Sequence, residues 1–147
     1  MDIGGITADY LQMRYGQADL SVCDSLENGV IVLYNRIKSK VSADFDILLD
    51  ESDIDAILTE TTQDYNENIC RVVREQAQHF IDDLFGALRE RMIDLRTGKT
   101  VFVGGGSILL RKQIEASGKI GNALFVEEIS ANTRGYELLY RASKYGG

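Results

Sequence analysis

The chain contains no proline in 147 residues. Its loops must therefore be punctuated by Gly, Asn, Asp and Ser, the other residues that favour turn conformations. Cysteine is scarce as well. Cys23 and Cys70 stand alone, outside any C-x-x-C or Cys/His cluster. Two cysteines and one histidine cannot furnish a normal structural zinc set, so the pair reads as free thiols in a reducing compartment. No apolar run approaches the roughly eighteen residues of a membrane helix. The N-terminus also lacks the basic-then-apolar order of a signal peptide. These absences set the expectation of a cytoplasmic protein without membrane contact. Basic charge is in deficit too: 16 Lys and Arg stand against 23 Asp and Glu, a net charge of −7. Broad nucleic-acid binding needs cations to neutralise phosphates, and direct contact with nucleic acid is not expected.

What is present is an ordinary globular composition, 44% apolar and 27% charged, at a length that suits one domain spanning 1–147. Ile6 to Met13 alternates roughly apolar and polar. Arg14-Tyr15-Gly16-Gln17 reads as a turn, and Ala18 to Cys23 alternates again. The pattern predicts a strand–turn–strand meander, with Met1 to Ile3 as a short strand ahead of it. Asn28-Gly29 then opens a helix with Val30, Leu33, Tyr34, Ile37 and Val41 at helical spacing. The stretch from Ser42 to Glu51 is compatible with a loop or a small strand. A capping pattern, Ser52-x-x-Asp55, precedes a long helical region. That region carries one apolar stripe through Ile69, Val73, Ala77, Phe80, Leu84, Leu88, Met92 and Leu95, with Thr61-Thr62 as a break and Gly98 as its C-terminal stop. A strand over 100–103, a helix over Ser107 to Ala116, a strand over 123–126 and a closing helix over Asn132 to Ser143 complete the order. A strand, a helix and a second strand in succession predict a parallel pair.

Two motifs could carry chemistry. The first is Asp2-x-Gly4-Gly5-x-Thr7-x-Asp9. Adjacent glycines let the backbone turn tightly with no Cβ in the way, so that N–H groups can meet phosphate oxygens closely. Thr7 adds a hydroxyl or its own N–H. Asp2, at the end of a strand, is placed to hold a Mg²⁺-bound water, the usual mode of a metal that keeps several waters. Gly-Gly alone would be no more than a hairpin; the Asp, Thr and Asp at these offsets raise it above that. The second motif is Val101-Phe102-Val103-Gly104-Gly105-Gly106-Ser107, a strand ending in glycines that open a helix, which is a common nucleotide corner as well as a plain tight turn. It is neither G-x-G-x-x-G nor a P-loop.

Together these motifs resemble the phosphate and adenosine segments of the actin, sugar kinase and heat-shock chaperone superfamily, and most of all the bacterial plasmid-segregation actins of the ParM (StbA) type. Ala131-Asn132-Thr133-Arg134-Gly135-Tyr136 is similar to the closing segment of that group. The resemblance implies an α/β, ribonuclease-H-like fold with a five-stranded mixed sheet and helices on both faces. It implies that the chain is the second, C-terminal half of a two-domain parent. It implies ATP or ADP (or GTP) with Mg²⁺ as ligands, Asp2 as the catalytic and metal-positioning residue through water, and Gly4, Gly5, Ile6 and Thr7 around the terminal phosphates. Gly104, Gly105 and Gly106 would lie against the α-phosphate, ribose and adenine, with Ser107 and Ile108 at the adenine side. Asp9 would stabilise the hairpin. The parent would self-associate into filaments and work through a DNA-bound adaptor in plasmid partition. The alternatives are another branch (a small-molecule kinase, an activator ATPase or a chaperone) or an interaction module that keeps the fold without using nucleotide.

Other residues read as structural. His79 has no nucleophile partner in the pattern. Asp44, Asp46, Asp50, Glu51, Asp53 and Asp55 lack EF-hand spacing. Arg36, Lys38 and Lys40 fit a solvated helix face.

Overall fold

The computed structural model of the chain describes residues 1–127. The closing helix expected over Asn132 to Ser143, and the segment Ala131 to Tyr136, lie outside the described residues. The antiparallel meander is found as β1 (Asp2–Ile3), β2 (Ala8–Arg14) and β3 (Gln17–Leu26). Tyr15 and Gly16 close the β2–β3 hairpin with φ of 53° and 76°. Positive φ at both central residues gives the turn whose twist matches that of the strands. Three helices follow: α1 (Val30–Phe45), α2 (Glu51–Leu58) and α3 (Glu67–Glu90). The chain then forms β4 (Lys99–Phe102), α4 (Gly105–Leu109), α5 (Arg111–Ala116) and β5 (Asn122–Phe125). β4 and β5 pair in parallel, as the strand–helix–strand order predicts.

The five-stranded sheet is not formed as a continuous ladder. β1, β2 and β3 make one three-stranded sheet, and β4 and β5 make a two-stranded one. A single parallel bridge, Asp2 opposite Val103, links them. Its bonds run from the Ile3 N–H to the Val103 carbonyl at 3.3 Å and from the Val103 N–H to the Met1 carbonyl at 2.9 Å. The reason is length: β1 has two residues, too few to pair along β4.

Helices on both faces are not seen among the described residues. Ile3, Ala8, Leu26 and Phe102 are buried, and Phe85 of α3 meets Phe102, which stacks on Phe125 at 5.1 Å. Leu11, Met13, Val101 and Leu124 alternate with that set and are 36–50% exposed. The core therefore lies between one sheet face and the helices. α3 runs through its centre with Ile69, Val73, Ala77, Phe80, Leu84 and Leu88 buried. The stripe stops there. Met92 takes φ of 63° and is 92% exposed, because the helix ends at Glu90. Gly98, with φ of 108°, serves the turn into β4 and not the helix stop.

Three local boundaries differ from the sequence reading. Residues 42–45 continue α1, which Asp46 ends in the left-handed region. The capping box of α2 is Asp50 with Asp53, two residues before the Ser52–Asp55 pair. A carboxylate accepts the N3 N–H as a hydroxyl oxygen does, and Leu49 and Ile54, at the positions of a hydrophobic staple, are both buried. Finally, the helix expected over 107–116 is divided at Leu110 into α4 and α5.

Tyr34 ties α1 to α2: its hydroxyl donates to Asp55 Oδ1 at 2.6 Å. Burial, and then this bond, push the phenol well above its ordinary value of 10.0. Tyr34→Phe is expected to cost about 1 kcal/mol in urea unfolding near neutral pH. A raised phenol stabilises fully below its unfolded value and loses that contribution as pH climbs through the folded one. The gap between wild type and Tyr34→Phe should therefore narrow only above about pH 10. Gly29 gives a sharper test. A Cβ there would stand 2.3 Å from Ile6 C and 2.4 Å from the Gly5 carbonyl oxygen, both backbone. Gly29→Ala should destabilise by about 1–3 kcal/mol, as overpacking does. Gly86→Ala, inside α3 with open space around the new methyl, should instead stabilise by roughly 0.5–1 kcal/mol.

Candidate functional site

The first glycine loop, Gly4 to Thr7, joins β1 to β2 and lies across the start of α1. Gly29 N–H donates to the Ile6 carbonyl at 3.0 Å, Val30 N–H to the Gly4 carbonyl at 3.0 Å, and Ile31 N–H to the Gly5 carbonyl at 2.9 Å. Three of the orphan donors at a helix start are thus satisfied by the loop and not by a capping side chain, which α1 lacks. The consequence follows from peptide geometry. In a planar trans peptide the C=O of one residue and the N–H of the next point in opposite directions. Carbonyls 4, 5 and 6 aim at α1, so the N–H groups of Gly5, Ile6 and Thr7 aim away from it. None of these three has a backbone acceptor among the described residues. Gly5 is exposed and Ile6 is 74% exposed. Successive outward N–H groups make an anion-binding concavity. The dipole of α1 acts on it through three hydrogen-bonded peptides.

The remaining groups of the hairpin hold its shape. Gly4 N–H donates to the Thr7 carbonyl at 2.9 Å. The Thr7 hydroxyl donates to Asp9 Oδ2 at 3.2 Å, which leaves the Thr7 N–H as its donor toward a ligand.

The second loop has three glycines for three reasons. Gly104 has φ of 87°, and a Cβ on it would fall on Asp2 Oδ1. Gly106 is buried where a Cβ would meet the Ile3 carbonyl oxygen and Val30 Cγ2, each at 2.5 Å. Gly105 is exposed with nothing within 4 Å of a Cβ position. Only Gly105 leaves bare backbone open to a ligand. Ser107 is fully buried, and its hydroxyl donates to the Val103 carbonyl at 2.6 Å. It supports the turn, so the ligand contact expected of its side chain is not what this geometry offers. Ile108 is half-buried, with its N–H on the Gly104 carbonyl at 3.3 Å.

The structure brings the two motifs to one edge. Asp2 pairs with Val103 and lies against Gly104. Val30 touches both loops, through its N–H on Gly4 and its side chain beside Gly106. Gly29 and Val30 were marked in the sequence only as a helix start; their part in the site could not be read from spacing. No cluster of three or more His, Cys, Asp or Glu side chains suited to a metal occurs among the described residues. No described helix is long and apolar enough to cross a membrane.

Residues 1–116 match the family model described as archaeal actin homologue MreB-like, C-terminal. No curated protein matches the chain. Among solved structures, the chain is similar to the archaeal actin homologue Ta0583 in its native form, with 17% identity and a TM-score of 0.58, over 99% of this chain and 47% of that one. The same homologue solved in complex with ADP gives 18% identity and a TM-score of 0.58, over 95% and 48%. The chain thus spans about half the length of these proteins, and at such identity the likeness shows the actin fold. The match is to an archaeal MreB-like model and not to the ParM type. The chain belongs to the family of C-terminal domains of archaeal MreB-like actin homologues.

Proposed function

We propose that this chain is the nucleotide-binding half of an actin-like ATPase that forms filaments, and that Gly4 to Thr7 holds the terminal phosphates of ATP or ADP (or GTP). The observation that carries this reading is the trio of outward N–H groups on Gly5, Ile6 and Thr7, created by the bonds from α1 to the carbonyls behind them. Gly105, open on its surface, would take the flat part of the nucleotide, with Gly104 and Gly106 shaping the loop and Ile108 supplying apolar contact. The ADP complex of the similar archaeal homologue supports the same ligand class.

Charge sets a condition on binding. Residues 2–9, 27–31 and 103–108 contain Asp2, Asp9 and Glu27 and no Lys or Arg. Three carboxylates cannot attract a polyphosphate on their own. A lone Asp beside phosphate donors suits Mg²⁺, which takes few protein ligands and keeps its waters. Asp2 would accept hydrogen bonds from those waters and hold one in place, and this is the catalytic role assigned to it. The metal would supply neutralisation of the phosphate charge. The outward N–H groups would stabilise negative charge on the phosphate oxygens as it shifts during hydrolysis.

On the resemblance of its motifs alone, we place the parent filament in plasmid segregation, in the cytoplasm. The contact with DNA would pass through an adaptor, since the net charge of −7 gives no broad surface for phosphates.

Calorimetry with ADP on this chain tests the site. Binding should appear with Mg²⁺ and vanish when the metal is chelated. Gly105→Val should lose at least most of that binding while its melting temperature stays unchanged, because the new side chain enters open space. Unaltered binding in Gly105→Val would overturn the placement of the second loop. In a preparation carrying both halves, Asp2→Ala should lower turnover by roughly 10²-fold or more; a wild-type rate would remove Asp2 from catalysis.

A further inference from the structure

The end of the domain opposite the glycine loops carries two features that the nucleotide reading does not use. α1 starts at the first loop and runs 16 residues away from it, about 24 Å at the helical rise. It delivers Ile47 and Leu48 to that far end, where Leu48 is 87% exposed and Ile47 38%. Asp44, Asp46, Asp50 and Glu51 surround them. Lys40 and Lys38 pair with Asp44 and Glu51, whereas Asp46 and Asp50 have no cationic partner among the described residues. The result is an apolar knob with an acidic rim.

β4 and β5 both begin at this end, and beside their starts lies a depression of about 30 Å³. Its floor is Phe85, Ile93 and Leu95, and its rim is Arg89, Arg96 and Lys119. Arg96 is held by Asp94, and Lys119 pairs with Asp82. Arg89 has no acidic partner among the described residues. The volume is far below the 300 Å³ or more of a metabolite site, but it admits the tip of an aliphatic side chain. Knob and depression are thus matched in size, polarity and charge sign. They lie on the same end of one chain, so the contact they can make between two copies is reciprocal. Each copy gives a knob and receives one, which is the self-complementary, closed arrangement of a two-fold pair.

We propose that Leu48 of one copy seats in the Arg89-rimmed depression of a second copy, and the reverse, forming a closed dimer at the end remote from the glycine loops. Both glycine loops stay open in such a pair. The acidic and basic rims steer the encounter, so association weakens with salt.

Sedimentation velocity on the full 147-residue chain without nucleotide tests this. The expected result is a monomer–dimer equilibrium that shifts toward monomer at high salt. Leu48→Asp and Arg89→Glu should each weaken association roughly tenfold or more, while Leu48→Met keeps it. Circular dichroism should show all three folded, since Leu48 and Arg89 are exposed. A monomer at every concentration would overturn the proposal. So would a dimer indifferent to Leu48→Asp, or growth beyond the dimer that Leu48→Asp removes, which would mean an open contact in place of a closed one.

Discussion

The domain's site depends on one arrangement: the N–H groups of Gly29, Val30 and Ile31 are bound to the carbonyls of Ile6, Gly4 and Gly5. Helix starts commonly present their free N–H groups to anions directly. Here that surface is covered by a peptide loop, and the donors reappear one peptide further out, on Gly5, Ile6 and Thr7. The gain is in shape. A helix start offers donors on a cylinder, whereas a loop of glycines can curve around a phosphate without Cβ atoms in the way. The condition is that Gly29 carry no side chain, since any Cβ would fall on the loop backbone.

The same arrangement explains why two weakly joined sheets suffice. β1 and β4 share one bridge, which would be a poor anchor for two loops that must act together. Val30 makes up the deficit, with its backbone on the first loop and its side chain under Gly106 of the second. Behind Val30, α1 is fixed by Leu33, Ile37 and Val41 in the core. The spacing between the loops is therefore set by a helix packed on α3 more than by strand pairing. Packed cores hold geometry at this scale because their side chains interdigitate with few voids.

How much of this the residues declared beforehand varies with the kind of signal. The order of elements was legible, because period-two and period-3.6 patterns are strong over Ala18 to Cys23, Val30 to Val41 and Ile69 to Leu88. Glycine positions were legible as loops, but not as loops of differing purpose. Gly104, Gly105 and Gly106 look alike in a string and are distinguished only by what lies opposite them: an Asp2 carboxylate, open space, and Ile3 with Val30. Such neighbours come from distant segments. Ser107 misled for the same reason, since a serine after glycines suggests a ligand contact until its burial and its bond to Val103 are known. Met92 kept the spacing of the α3 stripe but lay past its end, where periodicity has no meaning. The division of the sheet was not legible, because a pairing of two residues leaves almost no trace in composition.

The charges around the loops then fix how labour divides between this chain and whatever faces it. A surface built to bind a polyphosphate alone would be expected to carry Lys or Arg, and this one carries Asp2, Asp9 and Glu27 instead. Neutral N–H donors can shape a phosphate site, but they cannot offset several negative charges beside carboxylates. The compensating positive charge must come from outside these segments, from a divalent cation held by water at Asp2 or from the opposing wall of the cleft. Binding energy then becomes conditional on assembly of the whole site. Such a domain grips nucleotide firmly only when metal and opposing wall are both in place, and in this way the glycine loops can couple the ligand to closure of the cleft instead of acting as an independent binding surface.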